Sequence, residues 1–295
     1  MNSRPALETD QPYELKNAPL RPRDRQELLE RDTTYAIQSD TGEVILAYEQ
    51  GQQRIWWGFR SIEDMRNDFP LMWPEVLAHL DRDHVDYVAM DIAGLPTRTW
   101  LDPLLQDADF AFFAEWMDMA NPDISDFGIP EFPEGITMRK ATEDDLQRCY
   151  AIWTEAYGDF GDGPATFDWL TDESEWAGCL EDEDGEVVAF AITGAVERGE
   201  GRILAAAVAP EAWGNGYGKL ILGAATYALA AQGAVKASLR VRPDIKQGLR
   251  TCSELGFRHQ AAGLEFRREV DEDLIQARRD ERRKAGVKAR FGGWR

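Results

Sequence analysis

Cysteine and histidine are scarce, three of each in 295 residues. Cys149, Cys179 and Cys252 are odd in number and far apart in sequence, which speaks against a disulfide framework and for a reducing compartment. His79, His84 and His259 do not cluster with them, so no zinc-ligand spacing exists and no metal is expected. Long apolar runs are also missing; nothing nears the roughly 20 apolar residues of a membrane span. The opening MNSRPALETDQPYELK lacks the pattern of a secretory signal. These absences lead to the expectation of a cytoplasmic chain with no membrane contact. Basic residues are outnumbered, 33 against 54 acidic, for a formal net charge of -21. Such a surface favours solubility, repels nucleic acid and could draw a cationic ligand such as an amine. The sign reverses at the end, where residues 278–295 carry eight basic and two acidic side chains. Contact with nucleic acid or an acidic partner is open there alone, against the plainer reading of a solvated chain end.

What is present is enough apolar residue, 43%, for ordinary cores, in a length that fits two domains. The stretch ANPDISDFGIPEFPEGI, with three prolines, reads as a linker. On its C-terminal side, ITMRKA alternates like a strand and TEDDLQRCYAIWTEAYG starts like a capped helix. WAGCLED and EVVAFAITGAV read as a hairpin about Asp184-Gly185. RILAAAVAP, a glycine loop, a helix from Lys219, the strand AVKASLRV, the helix IKQGLRTCSEL and a closing strand after Gly256 complete that half. The first half runs in similar order: a hairpin about DTG, the strand RIWWGFR, a long helix carrying Pro74, VDYVAMDIAG, a short helix and DFAFFAEWMDM. Gly42 and Gly185 lie 143 residues apart and Phe110 and Phe257 lie 147 apart, spacings near enough to indicate an internal duplication. The fold class expected is α/β: two tandem domains, each a mixed central sheet flanked by helices. Their bounds are 1–121, a linker at 122–134, 135–272, and a basic tail at 273–295. Trp56, Trp57, Phe59 and Trp73 read as core and domain interface. EDEDG, Glu181 to Gly185, reads as a hairpin turn rather than a calcium loop, since the closing glutamate is absent.

The stretch PEAWGNGYGKLIL sets three alternate glycines at the start of a helix. The first amides of a helix lack internal partners and its dipole is positive there, so glycine bareness at that place suits a phosphate. The spacing is neither a Walker loop nor a dinucleotide fingerprint. Val208 to Gly218 resembles the V-x-P-x-x-[QR]-G-x-G-x-[GA] signature of GNAT N-acetyltransferases, and LRTCSELGF is similar to that family's helix ending in L-G-F. The order of elements from Ile136 to about Val270 resembles the family's fold. The first half resembles it in element order only, as a decayed GNAT domain would.

The resemblance implies acetyl-CoA as cosubstrate, bound where RILAAAVAP and AVKASLRV splay apart. Ala206, Ala207 and Val208 would pair with its pantetheine arm. Trp213 to Lys219, with Gly214, Asn215, Gly216, Tyr217 and Gly218 between them, would hold the pyrophosphate. An acetyl group would pass directly to a primary amine of a small molecule or peptide, by alignment of the two reactants. The rival implication is a GNAT-like module that binds CoA or a protein partner without transfer. The assembly entertained is a homodimer. Four departures stand out. Trp213 replaces the usual Gln or Arg and reads first as a packing residue. Cys252 replaces a tyrosine acid; it reads as a buried hydrophobe or as a proton donor with a reference pKa of about 8.5. Ile245 replaces an asparagine. The strand RILAAAVAP lacks the family's glutamate, leaving His259, Glu265 and Tyr157 as candidate bases. In the first half SIEDMRND stands in place of a glycine loop, and its acids would repel a pyrophosphate, so no CoA is expected there.

Overall fold

The computed structural model describes residues 13–18, 22–93, 99–157, 164–273 and 275–276; the basic stretch 278–295 lies outside them. The first half runs β1 (Leu15–Lys16), α1 (Pro22–Glu30), β2 (Tyr35–Gln38), β3 (Gly42–Glu49), β4 (Gln52–Phe59), α2 (Ile62–Ala78), β5 (Tyr87–Ala93), α3 (Asp102–Asp107) and β6 (Ala111–Asn121). The second runs β7 (Thr137–Lys140), α4 (Leu146–Tyr157), α5 (Pro164–Asp172), β8 (Trp176–Glu181), β9 (Val187–Thr193), β10 (Glu200–Val208), α6 (Tyr217–Ala231), β11 (Lys236–Val241), α7 (Lys246–Glu254) and β12 (Arg258–Glu269). Helix α5 has no counterpart in the sequence reading; nine residues behind a glycine-rich stretch give too short a period to stand out.

The two halves share one mixed sheet, ordered β2-β3-β4-β5-β12-β6-β11-β10-β9-β8-β7. Parallel pairing occurs at β4–β5 and β10–β11. Each half gives its closing strand to the other. Strand β6 pairs with β11 from Asn121 to Met117, and β12 pairs with β5 from Gly263 to Glu269. The two exchanged strands then pair with each other along nearly their full length. With its borrowed strand, each half has the same order: β2-β3-β4-β5-β12 and β8-β9-β10-β11-β6. The cores record the exchange. Phe266 and Val270 pack with Val44, Trp57, Phe59 and Trp73 of the first half. Met119 packs with Ile152, Phe190, Leu229 and Phe257 of the second. Trp56 is only half-buried, whereas Trp57, Phe59 and Trp73 are core. Cys149 and Cys179, distant in sequence, meet in the second core as free thiols with Sγ atoms 3.8 Å apart.

In the first half the parallel pair β4–β5 holds only at Gln53–Val88 and Arg54–Ala89. Beyond it the strands part, and the chain's own N-terminal segment fills the gap. Strand β1 pairs with β4, and Asn17 spans both walls. Its main-chain N–H donates to the Trp57 carbonyl and its carbonyl accepts from the Ala93 amide, at 3.3 and 2.6 Å. Its side-chain Nδ2 donates to the carbonyls of Ile55 and Asp91, both at 2.9 Å, and its Oδ1 accepts from the Trp57 amide at 2.7 Å. Asn17 is fully buried, so water replaces none of these bonds.

Two stability outcomes follow from this packing. Asn17→Ala strands several buried main-chain groups at roughly 1–3 kcal/mol each, so denaturant unfolding is expected to show a loss of at least about 2 kcal/mol. A change under about 0.5 kcal/mol would mean that the gap closes without its bridge. Gly263, where β12 enters the centre of the sheet, has no room for a side chain. A Cβ there would stand 2.4 Å from the Trp116 ring and 2.6 Å from the main-chain carbonyl of Ile92. Gly263→Ala is expected to cost about 1–3 kcal/mol as overpacking. Because both halves use this crossing, calorimetry should still give a single transition at a lower midpoint; two separated transitions would contradict the shared-sheet account.

Candidate functional site

The second parallel pair builds a matching cleft and leaves it open. Strands β10 and β11 pair from Glu200–Lys236 to Ile203–Leu239 and then separate. The Ala209 amide donates to Val188 on β9 at 2.9 Å. Main-chain groups alternate in direction along a strand, so the carbonyls of Ala206 and Val208 turn away from β9 and into the cleft. Ala207, between them, turns its side chain into the core. No strand segment bridges this gap among the described residues. Two side chains reach in instead: the Tyr157 hydroxyl donates to the Ala206 carbonyl at 3.0 Å, and the Trp213 indole donates to the Val208 carbonyl at 2.8 Å. Trp213 is therefore not the packing residue expected. The residue is 54% exposed, with its indole N–H anchored to the strand.

Beyond Val208 a short 3-10 turn, Pro210–Ala212, leads to the glycines. Gly214 and Gly216 have φ of +89° and +82°, and a Cβ on either would meet nothing within 4 Å. The left-handed backbone, not crowding, demands glycine at both. As a result the amides of Gly214, Asn215, Gly216, Tyr217 and Gly218 donate to no protein acceptor among the described residues. Helix α6 begins at Tyr217 and is 15 residues long, so its positive end adds to the same place. The Lys219 amide already donates to Gly216 at 3.0 Å, and its ammonium lies 3.3 Å from Glu254 on α7. Asn215 turns its side chain back to the Ala212 carbonyl. At the matching point of the first half, Ser61 caps α2 by accepting from the Asp64 amide at 3.1 Å, with Glu63 and Asp64 in the first turn. That helix start is satisfied internally and acidic.

A cavity of about 240 Å³ opens from the cleft, with Tyr157, Leu204, Ala206, Ile245 and Cys252 among its lining. Cys252 is fully buried, and burial pushes its thiol up to about 11. It holds its proton across the neutral range and has no use as a base. His259 stands exposed on β12 opposite Met119 and is not part of the lining. Glu265 and Tyr157 both line the cavity, and Glu265 is held by Arg54 at 3.2 Å and by Arg267. Arg54, Phe113, Trp116, Glu265 and Arg267 reach this wall only because the halves exchange strands, which no local pattern in the sequence signals. Among the described residues, no group of His, Cys, Asp and Glu is placed to hold a metal ion, and no helix is long and apolar enough to cross a membrane.

Comparison with known proteins agrees with this geometry. Residues 139–257 match the profile of the Acetyltransferase (GNAT) family. A search of curated proteins by sequence gives no match. In structure the chain is similar to a GCN5-related N-acetyltransferase from Sphaerobacter thermophilus, with 16% identity, 79% of this chain and 81% of that one covered, and a TM-score of 0.52. It is similar to a GCN5-related N-acetyltransferase from Kribbella flavida, at 17% identity, 82% and 91% coverage and a TM-score of 0.54. It also matches a tandem GNAT protein from the clavulanic acid biosynthesis pathway, at 11% identity, 81% and 84% coverage and a TM-score of 0.54. At such identities the likeness speaks for fold alone. The chain is similar in fold to a tandem GNAT protein, and its residues 139–257 match the acetyltransferase (GNAT) family.

Proposed function

We propose that this chain transfers an acetyl group from acetyl-CoA to a primary amine, and that only its second half binds the cosubstrate. The observation that carries the reading is the contrast between the two clefts. One is filled by Asn17 and headed by a capped, acidic helix start. The other is open and headed by five amides without acceptors among the described residues. Those amides and the α6 dipole suit a pyrophosphate. The carbonyls of Ala206 and Val208 suit the amides of a pantetheine arm once Tyr157 and Trp213 yield them. Bound acetyl-CoA supplies a thioester. In transfer, a bond forms from the amine nitrogen to the acetyl carbon, the carbon–sulfur bond breaks, the nitrogen loses a proton and the sulfur gains one. The chain's part is to align the two reactants and give that proton a path. Tyr157 is the hydroxyl placed at the cleft. Cys252, protonated and buried in the cavity wall, can act as a donor only.

A second reading, a module that binds CoA or a protein partner without transfer, draws on one observation. Tyr157 and Trp213 already occupy the two carbonyls that a cosubstrate would use.

Calorimetric titration with acetyl-CoA tests the proposal. Wild type is expected to bind at one site per chain. Gly216→Asp adds charge and strains a left-handed position, whereas Asn215→Asp adds charge with no demand on a glycine backbone. Each is expected to weaken binding about tenfold or more through repulsion of the pyrophosphate. Absence of binding by wild type would sink the proposal. Binding without acetylated product across a panel of amines would favour the second reading.

A further inference from the structure

The face of the central sheet beneath the cavity carries charge from five adjacent strands. Arg54 on β4 lies 3.4 Å from Asp91 on β5 and 3.2 Å from Glu265 on β12. Arg240 on β11 lies 2.8 Å from Asp91 and 2.9 Å from Asp118 on β6, with its guanidinium 3.9 Å above the Trp116 ring. Arg267 meets Glu265 and stacks on Tyr87 and Phe113. Arg242, also on the wall, is paired with Asp244. Arg202 on β10 is different. It lines the same cavity, is open to solvent, and its guanidinium has no hydrogen-bond or ion-pair partner among the described residues. In a chain of net charge -21, a cavity wall with five arginines against two glutamates, Glu115 and Glu265, is the reverse of the bulk composition.

Residues of the wall also carry buried polar atoms without a partner among the described residues, Trp153 and Thr166 among them. Trp153 Nε1 and Thr166 Oγ1 are buried without an acceptor or donor, with their residues only 8% and 4% exposed. Both line the cavity. Native structures leave few buried polar groups unsatisfied. An unpaired guanidinium in the cavity, with an unsatisfied indole N–H and hydroxyl on two other residues of its lining, is complementary to an oxyanion, which arginine can grip with two parallel hydrogen bonds. Arg240 and Arg54 lie near Arg202 as like charges, and Asp118 and Glu49 as opposite ones. Along β10, Arg202 stands four residues from Ala206, roughly 13 Å between Cα atoms at about 3.3 Å per residue. One small molecule can thus reach from the guanidinium to the cleft.

We propose that the acceptor is a small primary amine that also bears an oxyanion, a carboxylate or a phosphate, held by the Arg202 guanidinium with Trp153 and Thr166 completing its hydrogen bonds. The assignment of the amine end rests on the acyl-transfer reading; the assignment of the anion end does not. The test is calorimetric titration of the full chain, with and without saturating CoA, using γ-aminobutyrate, aminoethyl phosphate and n-butylamine. At least one of the two anionic amines is expected to bind about tenfold or more tightly than n-butylamine, and their ranking separates carboxylate from phosphate. Arg202→Gln should remove that preference, and Arg202→Lys, which keeps the charge but not the two-pronged grip, should fall between. Equal binding of n-butylamine, binding of none of the three, or anion affinity unchanged in Arg202→Gln would overturn the proposal. If Arg202→Gln lacks a melting transition, Arg202→Lys and the wild-type ranking decide. Failure of acyl transfer reads differently: anion binding at Arg202 persists without CoA, while acetyl-CoA titration shows no site.

Discussion

The ladder between β6 and β12 is the constraint on which the rest of the molecule depends. Each strand closes one half in sequence and lies in the other half in space. Neither half can complete its sheet alone, and neither core is made wholly from its own residues. The exchange also fixes the cavity. Its floor needs Trp116 from β6 and Glu265 and Arg267 from β12, set beside Arg202 and Arg240 of the second half. A second half cut free at the linker would lose the strand beside β11, and with it the Asp118 and Asp91 carboxylates that hold Arg240. The first half thus contributes to the cavity wall although its own cleft is filled.

The two clefts show how a duplicated plan diverges by local chemistry. Both start as a short parallel pairing followed by a splay, because the strand orders are the same. A splayed pair exposes main-chain groups that must find partners. In the first half Asn17 satisfies them permanently, with main chain and side chain together. In the second half Tyr157 and Trp213 satisfy two carbonyls through single side-chain bonds, which a ligand can displace without unfolding a strand. The helix starts diverge in the same sense. Ser61 closes one with its own oxygen, while Gly214 and Gly216 leave the other bare.

The sequence made some of this legible and hid the rest for physical reasons. Gly214 and Gly216 could be read because a left-handed backbone before a helix has few residue choices and few uses. Hairpins at Asp184-Gly185 and at Gly42 were readable from turn chemistry. The exchange of β6 and β12 was not, since alternation marks a strand and its faces but never its neighbours. Trp213 was misread because a large aromatic ring usually packs; here its N–H finds a carbonyl at the cleft edge and the ring stays in solvent. Asn17 sits among ordinary polar residues, and nothing nearby signals that its amide spans two strands, 38 and 74 residues away at Ile55 and Asp91. Arg202 was hidden by composition, for an acidic total says nothing about where the unpaired cation lies.

Net charge and site charge act at different ranges, which reconciles an acidic chain with an arginine-lined cavity. Exposed charges are screened beyond about 10 Å at moderate salt, so the surface excess governs solubility and long-range repulsion. Inside a walled cavity screening is weaker and the nearest groups dominate. Around Arg202 those groups are Arg240 and Arg54 on one side and Asp118 and Glu49 on the other. Asp118 is already engaged by Arg240, and Asp91 and Glu265 by Arg54, which leaves Arg202 and Glu115 as the charges of that wall without an ion-pair partner among the described residues. A zwitterionic amine suits both ranges: its ammonium is not repelled by the acidic exterior, and its anion meets the guanidinium once inside.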